Sequence, residues 1–154
     1  MSTLYSNPSI AIIQGGSYKD ERGSLIYFNE LDMKPIKRFY RINHPDTSII
    51  RAWQGHRYEQ KWFYVLKGSF LIALVVPDDW ETPSDKAPVK LFTLSGAEPQ
   101  ILHVPGGLVN GFKAMEDDSA LMVFSDFTIA ESENDHFRFD KNKWFDWDHL
   151  DIKK

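Results

Sequence analysis

The chain has 154 residues, no cysteine and a formal net charge of −4, with an isoelectric point near 5.7. That length predicts one domain, residues 1–154, with a buried core. The acidic balance and the lack of a basic run exclude nonspecific nucleic-acid binding. With no thiolate, no membrane-length apolar run and no leader-like start, the expectation is a cytoplasmic protein without disulfides.

Residues 1–9 are small and polar with one proline, and predict a loose arm or a swapped edge strand. Ile10 to Gln14 predict a first strand, ended by Gly15-Gly16. Asp20-Glu21-Arg22-Gly23 reads as a tight turn before a strand over Leu25 to Phe28. Ile36 to Asn43 alternates, with Ile36, Arg38, Tyr40 and Ile42 on one face and Lys37, Phe39 and Arg41 on the other. Ile49 to Trp53 then leads into the densest stretch of the chain, Arg51 to Phe70. Its first half crowds together Arg51, Gln54, His56, Arg57, Glu59, Gln60 and Lys61. Its second half is aromatic and β-branched, breaks at Lys67-Gly68-Ser69, and resumes as Phe70 to Val76. Two apolar runs joined by a short glycine turn predict a β-hairpin. Polar groups packed against the start of that pair predict a lined pocket.

Pro77 to Pro88 carries three prolines and several acids and predicts an exposed loop. Val89 to Leu94 is expected to pair back onto the preceding strand. Gln100 to Val104 runs into Pro105-Gly106-Gly107 and then Asn110-Gly111-Phe112. Ala120 to Phe124 is strongly apolar, residues 129–137 suit one helical turn, and the tail from Lys143 to Trp147 is aromatic. Many short strands with almost no helix predict an all-β antiparallel sandwich or jelly roll.

The order of these pieces resembles the cupins that act on dTDP-4-keto-6-deoxyhexoses, the dTDP-4-dehydrorhamnose 3,5-epimerases and dTDP-sugar 3,4-ketoisomerases. The likeness runs over about residues 14–147. Asp20 to Gly23 looks like their early Asp-x-Arg-Gly turn, and Lys37-Arg38-Phe39-Tyr40 is similar to a ketoisomerase segment. Arg51-Ala52-Trp53-Gln54-Gly55-His56 resembles their Arg-Gly-x-His patterns. Lys61 falls where the epimerases carry an active-site lysine. His103 to Gly107 with Asn110-Gly111-Phe112 is similar to their Ile-Pro-x-Gly-x-x-His-Gly-Phe, and Trp144 to Trp147 to their tail. The chain departs from the pattern at Gln54 and Asn110, each standing where the family has histidine, and at Arg41, where ketoisomerases tend to have tyrosine. Its strand from Ala120 to Asp126 lacks the epimerases' acidic tyrosine. The resemblance implies a double-stranded β-helix jelly roll with a short irregular or helical C-terminal segment. It also implies a nucleotide-sugar ligand.

Proton transfer beside a carbonyl needs a base, a group that stabilises the enolate and an acid that returns the proton. His56 is the expected base, because imidazole titrates near neutrality. Lys61 can hold the enolate oxygen, Glu59 can orient the imidazole, and Tyr40 or Tyr64 can return the proton. Arg51 offers a planar fork to a diphosphate, supported by Arg41 or Arg57, with Gln54 and Asn110 as further substrate contacts. One imidazole and one carboxylate make a poor set of metal ligands, so neither metal nor cofactor is expected. Exposed sheet edges at the N-terminal strands predict a homodimer. Two other readings stay open: a module that binds the sugar nucleotide without turnover, and a metal-dependent oxygenase or isomerase.

Overall fold

The computed structural model describes residues 9–149; the predicted arm, apart from Ser9, lies outside them. The described residues form twelve strands and one short helix. One sheet has the order β1 (Ala11–Gln14), β9 (Gln100–Val104), β6 (Lys61–Lys67), β11 (Ser119–Ser125), β4 (Arg38–His44). The facing sheet runs β12 (Phe137–Arg138), β5 (Ile50–His56), β10 (Leu108–Ala114), β7 (Ser69–Val75), β8 (Val89–Ser95). β2 (Gly16–Asp20) and β3 (Gly23–Tyr27) make a separate hairpin, and α1 covers Ile129–Glu133. All the strand pairs are antiparallel. The result is the jelly roll expected from the strand pattern.

Alternation explains which side chains meet. Phe63, Val65, Leu102, Leu121 and Val123 from the first sheet pack against Phe70, Ile72, Leu74, Leu94 and Phe112 from the second. Each such side chain contributes about 1.5–3 kcal/mol on burial, so this layer is what joins the two sheets. A second apolar layer lies on the outer face of the β5-β10-β7 sheet. There Trp53, Leu71, Ala73, Val75 and Val109 are covered by Trp147, with Phe139, Trp144 and Phe145 packed around them. β7 is therefore buried on both faces along its whole length, which is why its sequence reads as an uninterrupted apolar run.

The predicted hairpin at Gly68 is corrected. β6 and β7 are consecutive, yet they belong to facing sheets, with β6 pairing β9 and β11 while β7 pairs β10 and β8. Gly68 turns the chain between layers at φ +73°, and a Cβ there would lie 2.0 Å from the Ser119 hydroxyl. Only glycine fits that corner. Three strands escaped the sequence reading. β2 has little apolar content, β10 carries Asn110-Gly111 in its middle, and β12 is only two residues long.

Candidate functional site

A cavity of about 140 Å³ opens between the two sheets. Tyr40 and Ile42 of β4, Lys61 and Phe63 of β6, and Val123 of β11 line it on one side; Arg51 and Gln54 of β5 and Asn110 and Phe112 of β10 line it on the other. A larger void of about 340 Å³, bordered by Ile10, Leu74, Val76 and Pro88, touches none of the predicted site residues. The predicted site residues gather around the smaller one.

Strict alternation along β5 would put Arg51 on the opposite face from Gln54 and His56. The pairing with β10 shows how they come to share one. Gln54 lies opposite Asn110 and Ala52 opposite Gly111, so Trp53 is an extra residue in the strand. This β-bulge resets the phase. Trp53 turns outward into the aromatic layer, where its indole Nε1–H donates to the Lys143 carbonyl at 2.7 Å. Arg51 and Gln54 both reach the cavity.

Several of the lining groups have unspent hydrogen-bonding capacity. Lys61 is 6% exposed, and among the described residues its ammonium has no carboxylate or hydrogen-bond partner. Its Nζ lies 5.9 Å from the centre of the Tyr40 ring, and the Arg38 guanidinium lies 5.1 Å from the same ring. The side-chain amides of Gln54 and Asn110, directly opposite each other in register, likewise bond to no other described residue. Arg51 is exposed at the mouth. Lys61, Gln54 and Asn110 thus turn polar atoms that no other described residue engages toward one cavity, a setting that suits a polar ligand.

His56, two residues along β5 from Gln54, and Glu59, in the turn that follows, are buried, 4% and 1% exposed. The His56 Nδ1–H donates to the Asp135 carbonyl at 2.7 Å, and the Glu59 Oε1 lies 3.4 Å from the same nitrogen. Because a carbonyl can only accept, this bond sets the tautomer. The proton sits on Nδ1, and Nε2, buried without a partner, keeps its lone pair. Burial first, and then the charge of Lys61, pull the imidazole down from 6.5 to about 4, against the opposing pull of Glu59 and Asp135. The ring is thus a neutral base at neutral pH.

Glu59 is fully enclosed. Its Oε2 accepts from the Ser125 hydroxyl at 2.5 Å and from Arg38 Nη2 at 3.3 Å, and its Oε1 accepts from the Ser132 hydroxyl at 2.6 Å. The Asp135 carboxylate takes the backbone N–H groups of Arg57, Tyr58 and Glu59 at 2.8, 2.9 and 2.8 Å, tying down the turn between β5 and β6.

Of the predicted residues, Tyr40, Arg51, Gln54, Lys61 and Asn110 share the cavity; His56 and Glu59 pair with each other outside its lining, with the Lys61 charge acting on the His56 ring. Arg41 and Tyr64 are corrections. Arg41 lies on the outward face of β4, exposed, its Nε–H donating to Asn43 Oδ1 at 3.0 Å. Tyr64 faces outward from β6, edge-on to Phe28 with ring centres 5.3 Å apart. Both sit one residue out of phase with lining neighbours, Tyr40 and Ile42 for Arg41, Phe63 for Tyr64. Arg57 is exposed beside the turn. The sequence reading missed Arg38, Ser125, Ser132 and Asp135. Arg38 had a signal, because it shares the alternating face of Tyr40. The serines and Asp135 had none; they approach from distant parts of the chain.

No family model matches the chain. Among curated proteins, the probable low-salt glycan biosynthesis epimerase Agl13 of Haloferax volcanii is 26% identical over 110 residues, 68% of either chain. Among solved structures, the rmlC epimerase of Mycobacterium tuberculosis superposes with a TM-score of 0.72 at 17% identity, over 94% of this chain and 76% of that one. A dTDP sugar isomerase from Desulfovibrio desulfuricans G20 gives 0.71 at 20% identity, covering 92% of both. The chain has their cupin fold. A mutant of the 3,4-ketoisomerase QdtA from Thermoanaerobacterium thermosaccharolyticum, solved with TDP-4-keto-6-deoxyglucose, matches this chain with a TM-score of 0.67 at 23% identity, over 84% and 87% of the two chains.

Many cupins hold a metal, and the residues here do not fit one. Among the described residues no group of three His, Cys, Asp or Glu is arranged around a common point. Glu59 has both oxygens engaged, and Gln54 and Asn110 offer only amides, which are weak ligands for zinc or iron.

Proposed function

We propose that this cupin binds a dTDP-linked 4-keto-6-deoxyhexose and moves a proton next to its keto group, as an epimerase or a 3,4-ketoisomerase. The observation that carries the reading is a neutral, buried imidazole with one free nitrogen, on the same strand as the Arg51 and Gln54 that line a polar-walled cavity. His56 Nε2 removes the proton on carbon. The Lys61 ammonium and the amides of Gln54 and Asn110 receive the oxygen that becomes negative. Such donors act strongly because they are already oriented and shielded from water. The Tyr40 hydroxyl returns a proton from the facing strand, and Arg51 at the mouth takes the diphosphate. Glu59 stands beside Nδ1 and offsets the charge that the ring acquires.

The likeness to the epimerase Agl13, the QdtA ketoisomerase and the other sugar-nucleotide enzymes supports the substrate class. A homodimer accords with the exposed Phe39 on β4 and Leu25 and Tyr27 on β3, at 63%, 59% and 41%. Among the described residues no helix is long and apolar enough to cross a membrane, which accords with a cytoplasmic site of action. A second reading, binding without turnover, draws on Gln54, which puts an amide where a second imidazole would serve as a base.

Incubation with dTDP-4-keto-6-deoxyglucose in D₂O decides between them. Deuterium entering the carbons next to the keto group, lost on His56→Ala, is the expected result. Thermal protection by dTDP with no exchange in the unmodified protein would leave the binding module. Neither protection nor exchange would remove the sugar-nucleotide reading altogether.

A further inference from the structure

The segment after β11 builds the support beneath His56. Thr128 and Glu131 form a capping box at the start of α1, and Glu131 also pairs with Lys37 at 3.0 Å. From this anchored turn the Ser132 hydroxyl reaches Glu59 Oε1 at 2.6 Å. That same oxygen lies 3.4 Å from His56 Nδ1, while the Asp135 carbonyl, from just past the helix, lies 2.7 Å from it. The His136 ring stacks nearly parallel on His56, with centres 5.7 Å apart.

Two acceptors therefore compete for one N–H. The nearer is a neutral carbonyl; the farther is a carboxylate oxygen, which makes the stronger bond when it is free to approach. Ser125 and Arg38 hold the other carboxylate oxygen. Among the described residues, only Ser132 donates to Oε1. We propose that Ser132 is a positioning residue: its hydroxyl holds Glu59 Oε1 back, so that the His56 N–H stays on the Asp135 carbonyl and Nε2 stays aimed for proton transfer. The proposal rests on the reading of His56 as the base. The charged groups around the ring are Lys61 from β6, Arg38 from β4, Glu59 from the turn, and Asp135 and His136 from the segment after α1.

The test is ¹⁵N and ¹³C NMR of the His56 imidazole in the full chain, with Ser132→Ala, Ser132→Thr and Glu59→Gln. Ser132→Ala frees Oε1 to approach the ring, so the His56 titration midpoint rises and the Nδ1 shift moves toward a charge-assisted bond. Ser132→Thr returns both toward the unmodified values, and Glu59→Gln lowers the midpoint. In the exchange assay Ser132→Ala costs about tenfold in kcat with little change in KM, and the acid limb of the kcat profile follows the NMR midpoint. An unmoved midpoint and shift in folded Ser132→Ala would overturn the proposal. If that variant does not fold, Glu59→Gln decides it, and an unmoved midpoint there overturns the proposal. The NMR readout needs no turnover, so a protein without exchange activity would sink the catalytic reading while leaving the placement of the ring measurable.

Discussion

His56 and His44 are both buried inside the same sandwich, at the ends of adjacent strands in sequence, yet their surroundings differ in kind. His44 is 1% exposed, with neither ring nitrogen bonded. It lies against Phe112 and edge-on to Phe70, with ring centres 5.9 and 5.3 Å away. His56 has one nitrogen tied to a carbonyl and the other free, with a carboxylate and an ammonium as neighbours. Burial holds both below the ordinary histidine value, so neutrality does not distinguish them. The asymmetry of the two nitrogens does. A ring with one N–H engaged and one lone pair spare is set up to take a proton. A ring between aromatic faces with both nitrogens idle is packing material that carries an unmet polar cost.

The largest expected effect breaks that contrast at its active end. His56→Ala lowers solvent-proton exchange by about 10²–10⁴-fold, the usual worth of a positioned base, whereas His44→Leu leaves the exchange rate unchanged in the same assay. Equal losses in the two variants would show that His56 matters only to the fold. Lys61→Met comes next. Removing the only ammonium that lines the cavity among the described residues costs about 10²–10³-fold in kcat by loss of enolate stabilisation, measured at saturating sugar nucleotide.

The third concerns pH. A histidine held down from 6.5 to about 4 stays unprotonated in the fold while the unfolded chain takes up a proton. Its contribution to stability is therefore complete above pH 6.5 and is lost as the pH falls toward 4. Between about pH 7 and pH 5 the loss is about 2 kcal/mol, read as a falling urea midpoint. His56→Gln flattens that slope, and His44 adds to it in the same direction. The smallest effect sharpens the contrast from the other side. His44→Leu removes two unbonded nitrogens from an apolar setting and raises stability by about 1 kcal/mol, seen in thermal unfolding at neutral pH.

Much of this architecture could be read from residue order. The face shared by Arg38, Tyr40 and Ile42 is the inward one, because period-two alternation in a half-buried strand is a local property. The placement of Arg41 and Tyr64 failed on the same rule, since residue type was allowed to outweigh phase. Gly68 misled for a different reason. A glycine between two apolar runs reads the same whether the runs pair side by side or cross between layers, and only the partners of each strand separate the cases.

Residue order alone thus determined an all-β roll and a polar cluster at the start of β6, because alternation and side-chain chemistry are written locally. Only the tertiary structure decided that Arg51 shares a wall with Gln54, since the extra residue at Trp53 is visible only against the register of β10. It also decided which nitrogen of His56 is free. That choice depends on the Asp135 carbonyl, 79 residues away in sequence, brought close by the fold.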